Sequence, residues 1–377
     1  MEKGGEKVSE KKIRVAFVAG GLTAGGVESV IYNYVSHMEQ ENYEWFYISY
    51  DTPDSEVQEK FENLGFRVYS VTKKKENFFK SCKEVLHILK ENKIDIVHSN
   101  MTLMCFVTNI LGHMAGAKSY ISHSHLAQYP TGIKKIVYFF FKCLSKWTAT
   151  DYFACGHEAG TYLFGKKMMA DGKVTILNNA LDYERFCFQP EKREKIRKEY
   201  GLENRHVLGH IGRFTEQKNH EFLLKIFAAY SKRDPESRLV LLGNGPLMEK
   251  TEEDARKLGI YDKILFVGVT QAVDEWYMAM DVFVFPSLYE GLSVAALEAQ
   301  ISGLYIVSSD TVAGETALSE AMQFLSLNDT PEVWADKIQE VMGKRFSDNI
   351  QKRLRERNLD IFEEVTKLDL YYRNAVK

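Results

Sequence analysis

The chain has 377 residues, of which 45% are hydrophobic and 27% are charged, and its formal net charge is −3. These values are ordinary for globular proteins, so wholesale disorder is excluded and two domains are expected. The near balance of charge argues against a nucleic-acid binder. Residues 1–12 lack the apolar stretch of a signal peptide, and no apolar run is long enough for a membrane span. We therefore expect a cytoplasmic protein.

The cysteines are few and widely spaced, and no Cys-x-x-Cys pair occurs. This pattern predicts neither a disulfide framework nor a zinc site. The sequence also has no Asp-x-Asp pair, so a metal-chelating nucleotide-sugar site is not supported. We expect no metal and no cofactor. The five cysteines are Cys82, Cys105, Cys143, Cys155 and Cys187.

Short apolar runs, rich in β-branched and aromatic residues, alternate with amphipathic segments along the chain. Such runs suit strands that are buried on both faces of a parallel sheet, joined by helices in βαβ units. The predicted helices include Val27–Met38, Phe78–Glu91 and, near the end, Asn358–Tyr372. The predicted strands are Ile13–Ala19, Trp45–Tyr50, Phe66–Val71, Ile94–His98, Tyr120–His123, Tyr152–Cys155, Val174–Leu177, His206–Ile211, Leu239–Leu242, Ile264–Val267, Val282–Phe285 and Tyr305–Ser308.

The alternation pauses in the charged stretch Glu184–Gly201 and restarts at Val207. We therefore predict an α/β protein with two Rossmann-like doubly wound domains, 1–185 and 186–354. The two domains are expected to face each other across a cleft, with the ligand at the carboxyl ends of the strands.

A glycine-rich loop follows the first strand and includes Gly25 and Gly26. Glycines permit a tight turn and a close approach to a ligand, and the next helix offers free N–H groups to an anion. The loop matches neither the dinucleotide fingerprint nor the Walker A pattern. A simple strand-to-helix turn remains the alternative.

Two cations, Arg213 and Lys218, follow the first strand of the second half. An arginine fork and a mobile lysine in one loop can converge on a diphosphate. Solvated surface cations are the alternative. Gly243 and Gly245 end the next strand, where they predict either close approach to a ligand or an ordinary turn.

The segment Pro286–Ala299 places Glu290 in a loop and Glu298 in a small, apolar helix. Carboxylates accept hydrogen bonds from sugar or ribose hydroxyls, and the helix start suits a phosphate. An exposed glutamate on an ordinary helix is the alternative.

Two histidines, His123 and His125, lie at the end of a first-half strand. They have the spacing of metal ligands, but no third ligand is near, so hydrogen bonding is the simpler interpretation.

A basic amphipathic helix is predicted at 133–147. Lys135, Lys142 and Lys146 lie opposite an apolar face. Residues 73–147 contain twelve lysines and four acidic residues, a net of +8. Such a helix can bind an anionic membrane, and a packed surface helix is the alternative. The apolar face is Ile133, Ile136, Val137, Phe140, Leu144 and Trp147.

Together these features resemble glycosyltransferase family 4, the group 1 glycosyl transferases of GT-B fold, and are closest to members that make bacterial exopolysaccharide and capsule. The segment Glu290–Glu298 is similar to the family's E-x7-E motif. Asn179–Asp182 with Phe186 is similar to its interdomain segment, although Ala180 replaces the usual glycine. The family's last helix returns to the first domain, which implies the same for 355–377.

The resemblance implies a role for each matching residue. Arg213 and Lys218 would bind the donor diphosphate, Glu298 the nucleotide ribose, and Glu290 the hydroxyls of the transferred sugar. His125, which aligns better than His123, would lie beside the sugar, although the choice between the two stays open. Glu290, His125, Arg213 and Lys218 are the implied catalytic residues. The other implied donor-binding residues are Gly25, Gly26, Gly243, Gly245, Gly291, Leu292 and Ser293.

The implied function is a metal-independent, retaining transfer from a nucleotide-sugar, expected to be a UDP-sugar. The acceptor would be lipid-linked or a growing surface polysaccharide, and the enzyme would lie peripherally at the inner face of the plasma membrane. The alternatives are a GT-B nucleotide-sugar epimerase and a non-catalytic two-domain binding protein. A dehydrogenase is disfavoured because the dinucleotide fingerprint is missing.

Overall fold

The computed structural model describes residues 12–23, 25–125, 132, 134–347 and 349–377. It divides into two compact units. The first contains the chain up to Ala180 together with Asn358–Lys377, and the second is Leu181–Arg357.

These limits differ slightly from the predicted ones at 185 and 354. The segment after Ala180 belongs to the second unit because its contacts lie there. Arg185 donates to the carboxylate of Asp274 at 3.2–3.3 Å.

The first unit is a parallel sheet of seven strands in the order β3-β2-β1-β4-β5-β6-β7. Each strand predicted for this half is present, with slightly different ends. The strands are β1 (Ile13–Ala19), β2 (Tyr43–Ser49), β3 (Phe66–Ser70), β4 (Ile96–Ser99), β5 (Ser119–Ser124), β6 (Asp151–Ala154) and β7 (Thr175–Ile176). The helices are α1 (Gly26–Ser36), α2 (Ser55–Asn63), α3 (Phe78–Glu91), α4 (Cys105–Ala115), α5 (Lys134–Thr148), α6 (His157–Phe164) and α7 (Lys166–Ala170).

The central strand β1 is buried on both faces, which explains its continuous apolar sequence. Val15 and Phe17 join a core that includes residues of α1. Ala16 and Val18 join a second core that includes residues of α3 and α4.

The second unit is a parallel sheet of six strands in the order β10-β9-β8-β11-β12-β13. The strands are β8 (Val207–Ile211), β9 (Arg238–Leu242), β10 (Ile264–Gly268), β11 (Val282–Phe285), β12 (Ile306–Ser309) and β13 (Met322–Leu325). The helices are α8 (Tyr183–Phe186), α9 (Pro190–Glu199), α10 (His220–Arg233), α11 (Met248–Lys257), α12 (Val273–Ala279), α13 (Val294–Ile301), α14 (Pro331–Val341) and α15 (Ile350–Glu356).

Two features of this unit were absent from the prediction. The charged stretch Glu184–Gly201 is mostly helical, and Arg197 within it is buried in an ion pair with Asp281 instead of facing solvent. Strand β13 was missed because it is a short edge strand in which Gln323 and Phe324 are not fully buried.

The last helix, α16 (Ile361–Ala375), belongs to the first unit. Asp360 caps its N-terminus by accepting from the Phe362 N–H at 3.0 Å. Leu368 and Tyr372 are buried in the core that also contains Phe17. The helix is therefore part of the first unit's interior, although it is the last element of the chain.

Helix α5 is present where 133–147 was predicted, and one detail of that prediction is corrected. Ile136, Phe140 and Trp147 of the predicted apolar face are exposed. Lys142 does not join the solvated lysines, because its ammonium lies 3.5 Å from the centre of the Tyr162 ring.

Ile133 lies outside the described residues. None of the described helices has the length and hydropathy needed to cross a bilayer.

Replacing Leu368 with alanine tests whether α16 stabilises the first unit. Leu368 is 2% exposed, so its loss leaves a cavity and should lower the free energy of unfolding by about 2–5 kcal/mol. Leu370, on the same helix, is 60% exposed, and Leu370→Ala should change it by less than about 0.5 kcal/mol. Urea denaturation monitored by circular dichroism gives both values. Equal effects of the two changes would show that α16 is not packed in this way.

Candidate functional site

In the second unit, three loops meet at the carboxyl edge of the sheet. They follow the neighbouring strands β8, β9 and β11 and are held together by hydrogen bonds. The Leu288 N–H donates to the Gln217 carbonyl, and the Phe214 N–H donates to the Asn244 carbonyl, both at 2.8 Å. The Asn219 amide donates to the Pro286 carbonyl at 3.1 Å. The cations of one loop and the glutamate of another therefore share one small region.

Lys218 and Glu290 form an ion pair in this region, with 2.6 Å between Nζ and Oε1. Both side chains are largely buried, so the pair is screened less by solvent than a surface pair. The Lys218 ammonium also lies 4.7 Å from the centre of the Phe285 ring. Because an ammonium has three N–H donors, the pair with Glu290 leaves donors for a ligand.

Arg213 lies on the same loop as Lys218, but its side chain is exposed to solvent. The structure thus brings two of the predicted site residues, Lys218 and Glu290, into contact. It leaves Arg213 exposed on the same loop, where the guanidinium is accessible to an anionic ligand.

Glu298 lies on α13, where its Oε2 accepts a hydrogen bond from the Tyr277 hydroxyl at 3.0 Å. Burial raises the pKa of Glu298 to about 7, although the bond from Tyr277 opposes this shift. A carboxyl with this pKa changes charge near neutral pH. Sequence analysis missed Tyr277, because nothing in the sequence of α12 marks this tyrosine as the partner of a distant glutamate.

The loop from Glu290 to Ser293 leads into α13 and is tied to the segment after β12. The Ala313 N–H donates to the Glu290 carbonyl at 3.0 Å, and the Thr316 hydroxyl donates to the Gly291 carbonyl at 3.1 Å. The Ser293 hydroxyl caps α13 by accepting from the Ala296 N–H. Ser293 therefore stabilises the start of α13 as its N-cap residue. Gly291 is exposed, and Leu292 is partly buried.

Gly243 and Gly245 bring two loops together. Gly245 has a φ of +156°, and a Cβ at this position would lie 2.5 Å from the Phe214 carbonyl oxygen. At Gly243, a Cβ would lie 2.2 Å from the Gly212 carbonyl oxygen. Neither distance is possible for a real Cβ, so both glycines are required for packing against the loop that carries Arg213 and Lys218.

In the first unit, Gly25 and Gly26 begin α1, with Gly25 at the N-cap position. The Glu28 carboxylate lies against Gly25, where a Cβ would be 2.4 Å from Oε2. Burial raises the pKa of Glu28, and the Tyr47 hydroxyl is 3.4 Å from its Oε1. The glycine-rich loop therefore packs against the buried carboxyl group of Glu28. Ala24 lies outside the described residues.

The two predicted histidines occupy different environments at the end of β5. His125 is partly buried, and its Nε2 lies 2.7 Å from the Asn100 Oδ1. His123 is buried, and its Nδ1 lies 2.9 Å from Nε2 of His98. Burial lowers the pKa of His125 to about 4 and that of His98 to about 3. These rings are therefore neutral at physiological pH.

The Asn100 amide determines which nitrogen of His125 carries hydrogen. Its Nδ2 donates to the His98 carbonyl at 3.2 Å, so its Oδ1 is the atom that faces His125. His125 must then donate through Nε2–H, and its Nδ1 is left as an acceptor. Sequence analysis missed Asn100 and His98, although both lie at the carboxyl end of a predicted strand.

Comparison with known proteins shows the family of the chain. Residues 24–185 match the family model described as Glycosyltransferase Family 4, and residues 205–344 match the one described as Glycosyl transferases group 1. The candidate glycosyltransferase EpsF of Bacillus subtilis (strain 168) is 32% identical over 332 residues, which cover 86% of each chain.

A second relative is the Escherichia coli UDP-Gal:alpha-D-GlcNAc-diphosphoundecaprenol alpha-1,3-galactosyltransferase, which is 28% identical over 310 residues. The match covers 78% of this chain and 79% of that enzyme. Among solved structures, Anabaena HepE in complex with UDP-glucose superimposes with a TM-score of 0.76 at 15% identity, covering 96% of this chain and 100% of that one. The chain therefore belongs to the group 1 glycosyltransferases of family 4 and has the GT-B fold, as its sequence predicted.

Proposed function

We propose that this glycosyltransferase moves a sugar, with retention of the anomeric configuration, from a UDP-sugar to a lipid-linked or growing glycan of a surface polysaccharide. The observation that carries the proposal is the largely buried Lys218–Glu290 pair at the carboxyl edge of the second sheet. It combines a cation for a phosphate with a carboxylate for sugar hydroxyls.

The leaving group is a nucleoside diphosphate, on which negative charge grows as the glycosidic bond breaks. Lys218 can donate to it through the N–H groups that Glu290 does not use, and the exposed Arg213 adds a second cation. The N-terminus of α13 contributes further positive potential. These fixed groups supply charge stabilisation from the protein itself, and we propose that transfer needs no metal ion.

The sugar and the ribose have separate carboxylates. Glu290 uses Oε1 for Lys218, and its Oε2 makes no hydrogen bond to the described residues, so it is placed to accept from a hydroxyl of the transferred sugar. Glu298 uses Oε2 for Tyr277 and is placed to accept from the ribose through Oε1. In the first unit, the neutral His125 offers Nδ1 as a third acceptor.

The relatives support the choice of donor and acceptor. The name of the E. coli relative specifies UDP-galactose as donor and a diphosphoundecaprenol-linked sugar as acceptor. HepE was solved with UDP-glucose. We therefore propose a UDP-sugar donor and an acceptor on a lipid diphosphate.

Removal of either cation tests the donor site. Arg213→Ala and Lys218→Ala should each lower turnover of the UDP-sugar by roughly 10- to 150-fold, since each loses a charge-assisted hydrogen bond that forms with the leaving group. Lys225→Ala is the matched control, because Lys225 pairs with Glu221 on the exposed face of α10. Release of UDP in the presence of acceptor measures turnover, and thermal unfolding checks the fold.

Three results would contradict the proposal. Normal turnover in both variants would show that Arg213 and Lys218 do not bind the donor. Conversion of the UDP-sugar without any acceptor would indicate an epimerase. Binding of UDP without turnover of any sugar would indicate a binding protein.

The ionisation of Glu298 predicts a pH dependence of donor binding. Because its pKa is about 7, the carboxylate form increases from pH 6 to pH 8, and affinity for the donor should rise by up to about 10-fold. UDP-glucose is a suitable ligand, since its diphosphate does not titrate in this range. Titration calorimetry of wild type and Glu298→Gln gives the comparison. A pH dependence that persists in Glu298→Gln would assign it to another group.

The outer face of α5 supports membrane binding. Its inner face packs through Phe141 against Phe106 and through the Ser145 hydroxyl to the Leu103 carbonyl. Its outer face exposes a large apolar surface next to lysines, which matches an anionic bilayer in both hydropathy and charge. The exposed apolar residues are Ile136, Val137, Phe139, Phe140 and Trp147, and the lysines near them in sequence are Lys134, Lys135 and Lys146. We propose that this face holds the enzyme peripherally at the membrane.

Trp147 can report this contact directly. The other three tryptophans, Trp45, Trp276 and Trp334, are buried, so a blue shift of fluorescence on adding anionic vesicles would come from Trp147. The shift should be absent with phosphatidylcholine vesicles and in Trp147→Phe.

Changing Lys134, Lys135 and Lys146 together to glutamine should weaken vesicle binding by roughly 100-fold, at about 1 kcal/mol per lysine. The control makes the same charge change at Lys225, Lys250 and Lys257 of the second unit. Equal binding by both triple variants would exclude α5 as the membrane contact.

A further inference from the structure

A chain of hydrogen bonds connects the last helix to the histidines at the end of β5. The Tyr372 hydroxyl lies 2.7 Å from His98 Nδ1, and His98 Nε2 lies 2.9 Å from His123 Nδ1. The His123 ring in turn lies against the His125 ring, with 4.0 Å between their centres. All three members of the chain are buried.

These hydrogen bonds run in the direction that gives the Tyr372 hydroxyl an acceptor. A phenol is the stronger donor and an imidazole nitrogen the better acceptor, so Tyr372 donates to His98 Nδ1. A neutral imidazole carries a single N–H, so His98 then donates from Nε2 to His123 Nδ1. His123 is left with its hydrogen on Nε2. Burial lowers the pKa of His98 and His123, so both rings stay neutral.

The Nε2 of His123 is buried and has no hydrogen-bond partner among the described residues. A buried N–H without a partner is costly, which indicates that an acceptor is missing. His123 and His125 line the same cavity, which also contains Asn100 and has about 10 Å³ of space, enough for one oxygen atom of the size of water. The acceptor that His125 has left is Nδ1, because its Nε2–H is used by Asn100. A hydroxyl oxygen can accept from His123 and donate to His125 at the same time.

We propose that Tyr372 is a positioning residue which, through His98, holds His123 with its Nε2–H directed into this cavity, where His123 and His125 together bind one hydroxyl oxygen. That oxygen belongs either to the sugar or to a water molecule, since the two groups offer the same donor and acceptor. The sugar alternative rests on the proposed transferase function. The tautomers of His98 and His123 do not depend on it.

The tautomers can be measured by NMR on protein labelled with ¹⁵N only in histidine. Two-bond ¹H–¹⁵N correlations distinguish a ring nitrogen that carries hydrogen from a bare one, and His98→Gln and His123→Gln assign the signals. We expect Nε2–H forms of both histidines in the wild type. Tyr372→Phe should mix the tautomers of both. Nδ1–H forms in the wild type, or no change in Tyr372→Phe, would overturn the proposal.

Tyr371→Phe is the matched control. It removes a hydroxyl from the neighbouring residue of the same helix, where that hydroxyl lies 3.1 Å from Ser119 Oγ and outside the histidine chain. The tautomers of His98 and His123 should be unchanged in this variant. An equal change in both variants would show a general effect of disturbing α16 and would contradict a specific role for Tyr372.

Adding a UDP-sugar identifies the source of the oxygen. A change in the His123 signals with UDP-sugar, but not with UDP, would assign the cavity to a sugar hydroxyl. Tyr372→Phe should then lower kcat/KM for the donor by roughly 3- to 10-fold while the inhibition constant of UDP is unchanged. Unchanged His123 signals would assign the cavity to water. A protein without transferase activity would contradict the proposed function and leave the tautomer result standing.

Discussion

Parallel strand pairing is the constraint on which the candidate residues of each unit depend. In a parallel sheet every strand delivers its carboxyl end to the same edge, so loops that are far apart in sequence meet there. The second sheet joins the loops after β8, β9 and β11 in this way, and Lys218 reaches Glu290 across seventy-two positions of sequence. The first sheet joins the ends of β4 and β5, which places Asn100 beside His125.

Burial then determines which ionisable side chains need a hydrogen-bond partner from the protein. Glu298 and His98 lie where water cannot solvate them fully, so each requires a partner from the protein. Tyr277 supplies one and Tyr372 the other. The same burial shifts the pKa of Glu298 upward and that of His98 downward, because in both cases the charged form is the one that is disfavoured. Burial therefore explains why the Glu298 carboxyl titrates near neutral pH and why the His98 ring does not.

The sequence was sufficient for the fold, because the apolar runs of parallel strands are local signals. All twelve predicted strands are present, and within the described part of the chain only the partly exposed edge strand β13 was missed. The candidate residues on loops were also recognisable, since Lys218 and Glu290 follow predicted strands. Their partners were not. Tyr277 and Tyr372 lie on helices as ordinary aromatic residues, and only the three-dimensional structure shows that each hydroxyl contacts a buried ionisable group.

The sequence left open whether the apolar face of α5 is exposed or packed, for a related reason. Periodicity identifies an apolar face, but it does not say whether that face meets the core or solvent. In α5 the inner positions are occupied by Phe141, Ser145 and Lys142, the last stacked on Tyr162.

The two units differ in the kind of polar group that they present at the sheet edge. The second unit presents charges: Lys218 and Arg213 as cations, and Glu290 as an anion. The first presents neutral imidazoles, whose donors and acceptors are fixed by Asn100 and by the chain from Tyr372. Charged groups bind a diphosphate strongly, because both partners are ionised. Neutral groups of fixed tautomer suit hydroxyls, where the arrangement of one donor and one acceptor distinguishes orientation without the cost of burying charge. A nucleotide-sugar contains both kinds of group. In the first unit these tautomers are set through Tyr372, so a tyrosine on the last helix determines which donor and acceptor atoms the histidines at the end of β5 present.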